Sequence, residues 1–115
     1  MSIYRAILLA SFLKDLKPYL KKYRSLKNSI IETLENFDKN HHPHLENGVY
    51  KVRLKTADIS RGKSKSFRLI VLLIEVDKYL VPITIYFKGD RQDISKNELN
   101  SKLEMILYEL KSSKK

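Results

Sequence analysis

VYKVRLKTADISRGKSKSFRLIVLLIEVDKYLVPITIYF, residues Val49 to Phe87, decides the fold, because three of its stretches read as strands and the link between the first two is densely basic. In Val49 to Lys55, the apolar Tyr50, Val52 and Leu54 alternate with Lys51, Arg53 and Lys55. A strand sends the first set to a core and lines up the second on its other face. Phe67 to Val76 is apolar throughout its first eight positions except Arg68, as a central strand covered on both faces must be. Asp77-Lys78 is a tight-turn candidate leading into Tyr79 to Phe87. There Pro82, which has no N–H to give a neighbour, belongs at a sheet edge or among the strand's first residues. The three strands form an antiparallel meander.

Working outward, Ile3 to Leu9 reads as a short first strand. Phe12, Leu16, Tyr19, Leu20 and Tyr23 then recur at helical spacing, with Pro18 expected to bend that helix or restart it. Tyr19 and Tyr23 are expected as core or interface aromatics. Ser25 is the N-cap candidate for a second helix with the stripe Leu26, Ile30, Leu34 and Phe37. Asp38 to Gly48 is a turn-rich connector. Downstream, Ser95 and Glu98 form a capping box ahead of Leu99, Leu103, Ile106, Leu107 and Leu110. The expected class is α+β: a small twisted, mainly antiparallel sheet, an N-terminal helical hairpin packed on it, and a C-terminal helix.

With 115 residues, the chain has room for one core, and residues 1–115 are taken as a single domain. Apolar residues at 43% are too many for disorder, and charged residues at 31% too many for a membrane protein. The apolar run Ala6 to Leu13 is too short for a membrane span and lacks a cleavage site after it, so a cytoplasmic location is expected. There is no cysteine for a disulfide or a thiolate metal site. His41, His42 and His44 sit in a Pro-broken loop with only Glu46 nearby, so neither metal nor other cofactor is expected.

The net charge of +10 is concentrated. Residues 49–91 hold 10 basic and 4 acidic side chains, and within Lys51 to Ile70 the cations Lys51, Arg53, Lys55, Arg61, Lys63, Lys65 and Arg68 face one acid, Asp58. Cations on an exposed strand are common enough to need no function. Adding Arg68 and the Lys-rich link from the adjoining segment, which hairpin geometry brings alongside, points instead to a polyanion, of which nucleic acid is the commonest.

The stretch from Gly48 to Ser95, with its basic strand, Gly-Lys-rich loop, following Arg, apolar strand, and Thr-Ile-Tyr run followed by Lys88, resembles the RelE/ParE superfamily of bacterial toxins, most closely its RelE/HigB-like branch. The resemblance implies a RelE-like type II toxin, a ribosome-dependent mRNA endonuclease neutralised by a cognate antitoxin. It implies cleavage without metal, in which the RNA's own 2′-OH attacks the adjacent phosphate and leaves a cyclic phosphate and a free 5′-OH. Lys51, Arg53 and Arg68 match the family's cations at the scissile phosphate, Tyr86 its aromatic residue, and Lys88 the following lysine. The chain departs from the pattern at Lys65-Ser66, where Gly-Gly is frequent, and at Gly89-Asp90, where an acid is displaced. Tyr108 is the candidate for a C-terminal aromatic. A ParE-like gyrase inhibitor and a non-catalytic nucleic-acid-binding module are the alternatives.

The chemistry needs a proton acceptor, a proton donor and positive charge on a phosphorane-like transition state. Crowded cations favour a neutral lysine, whereas arginine stays charged. The expected roles are therefore Lys51 or Lys88 as general base, Arg53 and Arg68 as phosphate clamps, and Tyr86 as a stacking platform. Lys55, Arg61, Lys63, Lys65 and Arg91 are expected to hold RNA backbone by salt-sensitive attraction. Neutralising Lys63 and Lys65 together should weaken RNA binding while single-turnover cleavage persists; unchanged binding in a moderate-salt titration would remove the loop as a backbone clamp.

Overall fold

The computed structural model describes residues 3–54 and 66–113. Its elements run β1 (Arg5–Ala6), α1 (Ala10–Lys22), α2 (Leu26–Glu35), a 3₁₀ turn (Lys39–His41), β2 (His44–Glu46), β3 (Val49–Leu54), β4 (Phe67–Ile74), β5 (Tyr79–Phe87) and α3 (Lys96–Ser113). One sheet contains all five strands in the order β1-β5-β4-β3-β2. Only β1 against β5 is parallel. The expected α+β class and the central place of β4 are thus observed.

Two apolar layers clamp the sheet. On one face Phe12 and Leu16 of α1 and Leu26, Ile30 and Leu34 of α2 pack on Tyr50, Val52, Leu54, Phe67, Leu69, Val71, Leu73 and Ile85. On the other, Leu99, Ile106 and Leu110 of α3 cover Val49, Ile70, Leu72, Val81 and Ile83. β4 feeds both layers, which is why its sequence shows no alternation. Tyr19 and Tyr23 meet Phe67 edge-on, each with its ring centre 5.0 Å away, and so take the core role expected of them.

Polar contacts join the helices. Leu9 cannot cap α1, and the N–H of Ser11 instead donates to the Glu109 carboxylate of α3 at 3.2 Å. The Ser11 hydroxyl also bonds Glu109, and Lys102 reaches Asp15 at 2.9 Å.

Several expectations need correcting. No restart occurs at Pro18, because α1 runs through it as one helix; the proline is exposed, so the Lys14 carbonyl it leaves without a helical donor can turn to water. β1 is two residues long. β4 stops at Ile74, and Val76 stands 92% exposed in the turn. Leu107 is 48% exposed, because Leu99, Ile106 and Leu110 already fill the stripe facing the sheet. The connector before β3 contains a strand, β2, paired to β3 through Asn47-Gly48, whose φ angles of 44° and 81° form the left-handed pair of a two-residue hairpin.

At Gly48 an added Cβ would lie 2.8 Å from the Leu73 carbonyl oxygen, and the φ of 81° is itself unfavourable for a side chain. Gly48→Ala is therefore expected to destabilise the fold by about 1–3 kcal/mol. Urea unfolding measures it, with a midpoint equal to wild type as the contrary result.

Candidate nucleic-acid interface

The site begins with an irregularity in β5. From Leu73↔Leu80 to Val71↔Pro82 the β4–β5 register advances evenly, and then Ile70 pairs with Thr84, leaving Ile83 as an extra residue. This bulge carries Ile83 into the layer under α3 and Ile85, two positions later, into the opposite layer. It also sets Tyr86 opposite Arg68. Even pairing would have placed Ile85 there. Pro82 sits at the bulge, beyond the two residues of β5 that β1 covers, so its missing N–H interrupts no ladder bond to β1.

Across three strands the register now reads Arg53↔Arg68↔Tyr86, one row on the face that α3 partly covers. Lys51 lies in the next row, opposite Ile70. The expected residues Lys51, Arg53, Arg68 and Tyr86 are therefore brought together. Lys88 follows β5 directly, and its N–H donates to the Ser66 carbonyl at 3.0 Å. Ser66 is also the residue that Arg68 grips.

Arg68 is only 4% exposed. Its Nη1 donates to Ser66 Oγ at 2.6 Å, and no salt bridge reaches it among the described residues. Burial, reinforced by Arg53 alongside, pushes its pKa below the ordinary arginine value. Two arginines paired across the ladder, with Asp93 acting on Arg68 only from beyond salt-bridge distance, leave positive charge incompletely compensated. An anion would relieve it.

Tyr86 is equally buried, and its hydroxyl donates to Asp93 Oδ1 at 3.0 Å. Burial first, and then that bond, raise its pKa to about 12, so at neutral pH it is a phenol that can donate but not a base. The guanidinium of Arg91 lies over its ring, 5.4 Å from the centre. Tyr86 thus differs from the open stacking platform expected, because Arg91 already occupies a face of it. Arg91, expected as a loose backbone contact, is held by Glu98 at 2.6 Å.

Asp93 was not anticipated. Its Oδ1 accepts from Lys51 Nζ at 3.0 Å, from Tyr86, and from the Ile94 N–H at 2.8 Å. Burial pushes this carboxyl up, but those donors outweigh it and hold it below the usual aspartate value. The acid in contact with Lys51 and Tyr86 is thus Asp93, while Asp90 stays exposed in the turn. A faint cue existed in its place two residues before the capping serine, Ser95. That capping box is half formed: Ser95 Oγ accepts from the Glu98 N–H at 3.1 Å, while the Glu98 carboxylate turns to Arg91. Beneath Tyr86 and Arg91 lies a cavity of about 160 Å³, lined also by Asp15, Thr84, Glu98 and Lys102.

Lys55, Arg61, Lys63 and Lys65 lie outside the described residues. Tyr108 is 72% exposed on α3, and among the described residues no hydrogen bond or ring contact ties it to the row. His42 stacks on Phe37 and His44 on Tyr50, which gives these imidazoles packing roles. Among the described residues no cluster of metal-ligand side chains occurs, and no helix is long and apolar enough to cross a membrane.

The whole architecture superposes on a solved structure of an E. coli RelE toxin, a double arginine-to-alanine mutant in the free state, with a TM-score of 0.55. The match covers 98% of this chain and 99% of that one, at 17% identity. The chain has the RelE fold. No family model and no curated protein sequence matches it. At this identity the RelE likeness extends to the path of the backbone, and the site's chemistry has to be argued from the side chains present.

Glu98 is held below the usual carboxylate value, chiefly by Arg91, against the upward push of burial. A folded-state pKa below the unfolded value of about 4.3 stabilises above that pH and is lost as pH falls through the folded value. Glu98→Gln is accordingly expected to melt below wild type at neutral pH, with the gap closing under acid. A pH-independent gap in thermal melts would contradict the Arg91–Glu98 assignment.

Proposed function

We propose that this chain is a type II toxin of the RelE kind, an endoribonuclease that cuts mRNA on the ribosome in the cytoplasm and is neutralised by a cognate antitoxin. One observation carries the reading: Arg68 is buried, faces Arg53 across the ladder and has no carboxylate partner among the described residues. Two adjacent arginines of this kind favour an anionic ligand, and a phosphodiester is one. The RelE fold supports the same reading, since the matched structure is that of a toxin.

In the proposed reaction the 2′-oxygen attacks the adjacent phosphorus, the bond to the 5′-oxygen breaks, and the products are a cyclic phosphate and a 5′-hydroxyl. Arg68 and Arg53 clamp the phosphate and stabilise the added charge of the transition state. Arg68 is fixed by Ser66, so its orientation is set before substrate arrives. Lys51 or Lys88 takes the proton of the 2′-OH, and the proton returned to the 5′-oxygen comes from the same group of donors, with the phenol of Tyr86 within the site as a further hydrogen-bond donor. No step calls for a metal.

Ribosome-dependent cleavage of a defined transcript, mapped by primer extension, tests this. Wild type should give discrete breaks in the A-site codon, and Arg68→Ala should lower the single-turnover rate by about a hundredfold or more. Equal cutting by the two would remove Arg68 from the mechanism. Intact message accompanied by gyrase-linked DNA breaks would move the chain to the ParE-like reading.

A further inference from the structure

The connector between β5 and α3, residues 88–95, fills the site it borders. Lys51 Nζ, the Tyr86 hydroxyl and the Ile94 N–H converge on one oxygen of Asp93, at 3.0, 3.0 and 2.8 Å. Convergent cationic and neutral donors of this kind hold a phosphate oxygen as readily as a carboxylate one. Two positions earlier in the same segment, Arg91 lays its planar cation against the Tyr86 ring, 5.4 Å from the centre, on a surface where a base could stack. Arg91 is kept there by a two-point pair with Glu98, at 2.6 and 3.2 Å, and by its Nε donating to the Asp93 carbonyl at 3.1 Å.

We infer that this connector is an internal stand-in for a nucleotide: the Asp93 carboxylate occupies a phosphate seat, the Arg91 guanidinium occupies a base seat, and the strap must leave Lys51 and Tyr86 before a phosphodiester can settle. The identity of the ligand rests on the proposed function, whereas the mutual exclusion rests on the shared donors alone. Lys51 cannot spend the same short bond on Asp93 and on a phosphate. The strap-closed state lowers apparent affinity by the fraction of molecules that hold it. Partial exposure of Asp93, Arg91 and Glu98 lets these side chains swing outward while Ile94 stays packed on the layer under α3.

Inorganic phosphate is the probe, and the Cζ-labelled ring of Tyr86 the reporter in NMR titrations of the full chain. Removing the competing charge with Asp93→Asn should tighten phosphate binding about tenfold. The gain should vanish when Lys51→Ala is added. Thermal melting checks folding, and Asp93→Ser, whose hydroxyl can still accept a bond, replaces Asp93→Asn if the latter does not fold. Equal or weaker phosphate binding by the folded Asp93 variant, or a gain that survives loss of Lys51, overturns the strap. This readout is separate from cleavage: a chain that shows the gain yet never cuts message keeps the strap and loses the nuclease.

Discussion

One extra residue in β5 organises the functional face. Because Ile83 is left out of the ladder, the side-chain alternation changes phase in mid-strand, so Ile83 serves the layer under α3 and Ile85 the layer under the helical hairpin. The chain thereby satisfies both cores and also delivers Tyr86 to the row that holds Arg68 and Arg53. Shifting the pairing by one would bury the Tyr86 hydroxyl among Phe67, Leu69 and the hairpin helices, where the surrounding side chains are apolar. Packing and chemistry thus select the same register.

The cations are then held by different means. Arg68 lies inside the sheet and is braced by Ser66, giving it little freedom. Arg53 is exposed at the neighbouring position on β3. Lys51 is tied down through Asp93, and Arg91 through Glu98, both contacts at the surface where solvent weakens an ion pair. A rigid centre surrounded by breakable contacts suits the proposed exchange of Asp93 for a phosphodiester. The polar seam of Ser11–Glu109 and Asp15–Lys102 anchors α3 near the same region, so the strap, the helix and the outer part of β5 share one set of charged contacts.

What the sequence made legible was whatever periodicity governs. Alternation in Val49 to Leu54 announced both a core face and a cationic face, and the run from Phe67 to Ile74 announced a strand covered twice. Register across strands is a tertiary property. Arg53, Arg68 and Tyr86 could be named individually, but the bulge that aligns them has no local marker beyond Pro82. Asp93 was hidden because its partners, Lys51 and Tyr86, stand 42 and 7 residues away. The Glu98 that completes a capping box in sequence is taken by Arg91 in space. β2 was missed although Asn47-Gly48 is a strong hairpin signal, because its three residues are too few to show alternation.

The register claim is open to a direct chemical measurement, since the chain has no cysteine of its own. Directly opposed residues of antiparallel strands have Cα atoms about 4.5–5.5 Å apart, within reach of a disulfide. The double variant Arg68→Cys, Tyr86→Cys should therefore oxidise to an intramolecular disulfide under mild conditions, while Arg68→Cys, Ile85→Cys, whose side chains point to opposite faces, should remain reduced. Cross-linking of the second pair and not the first would mean that β5 runs without the bulge, and that the row of Arg53, Arg68 and Tyr86 does not exist.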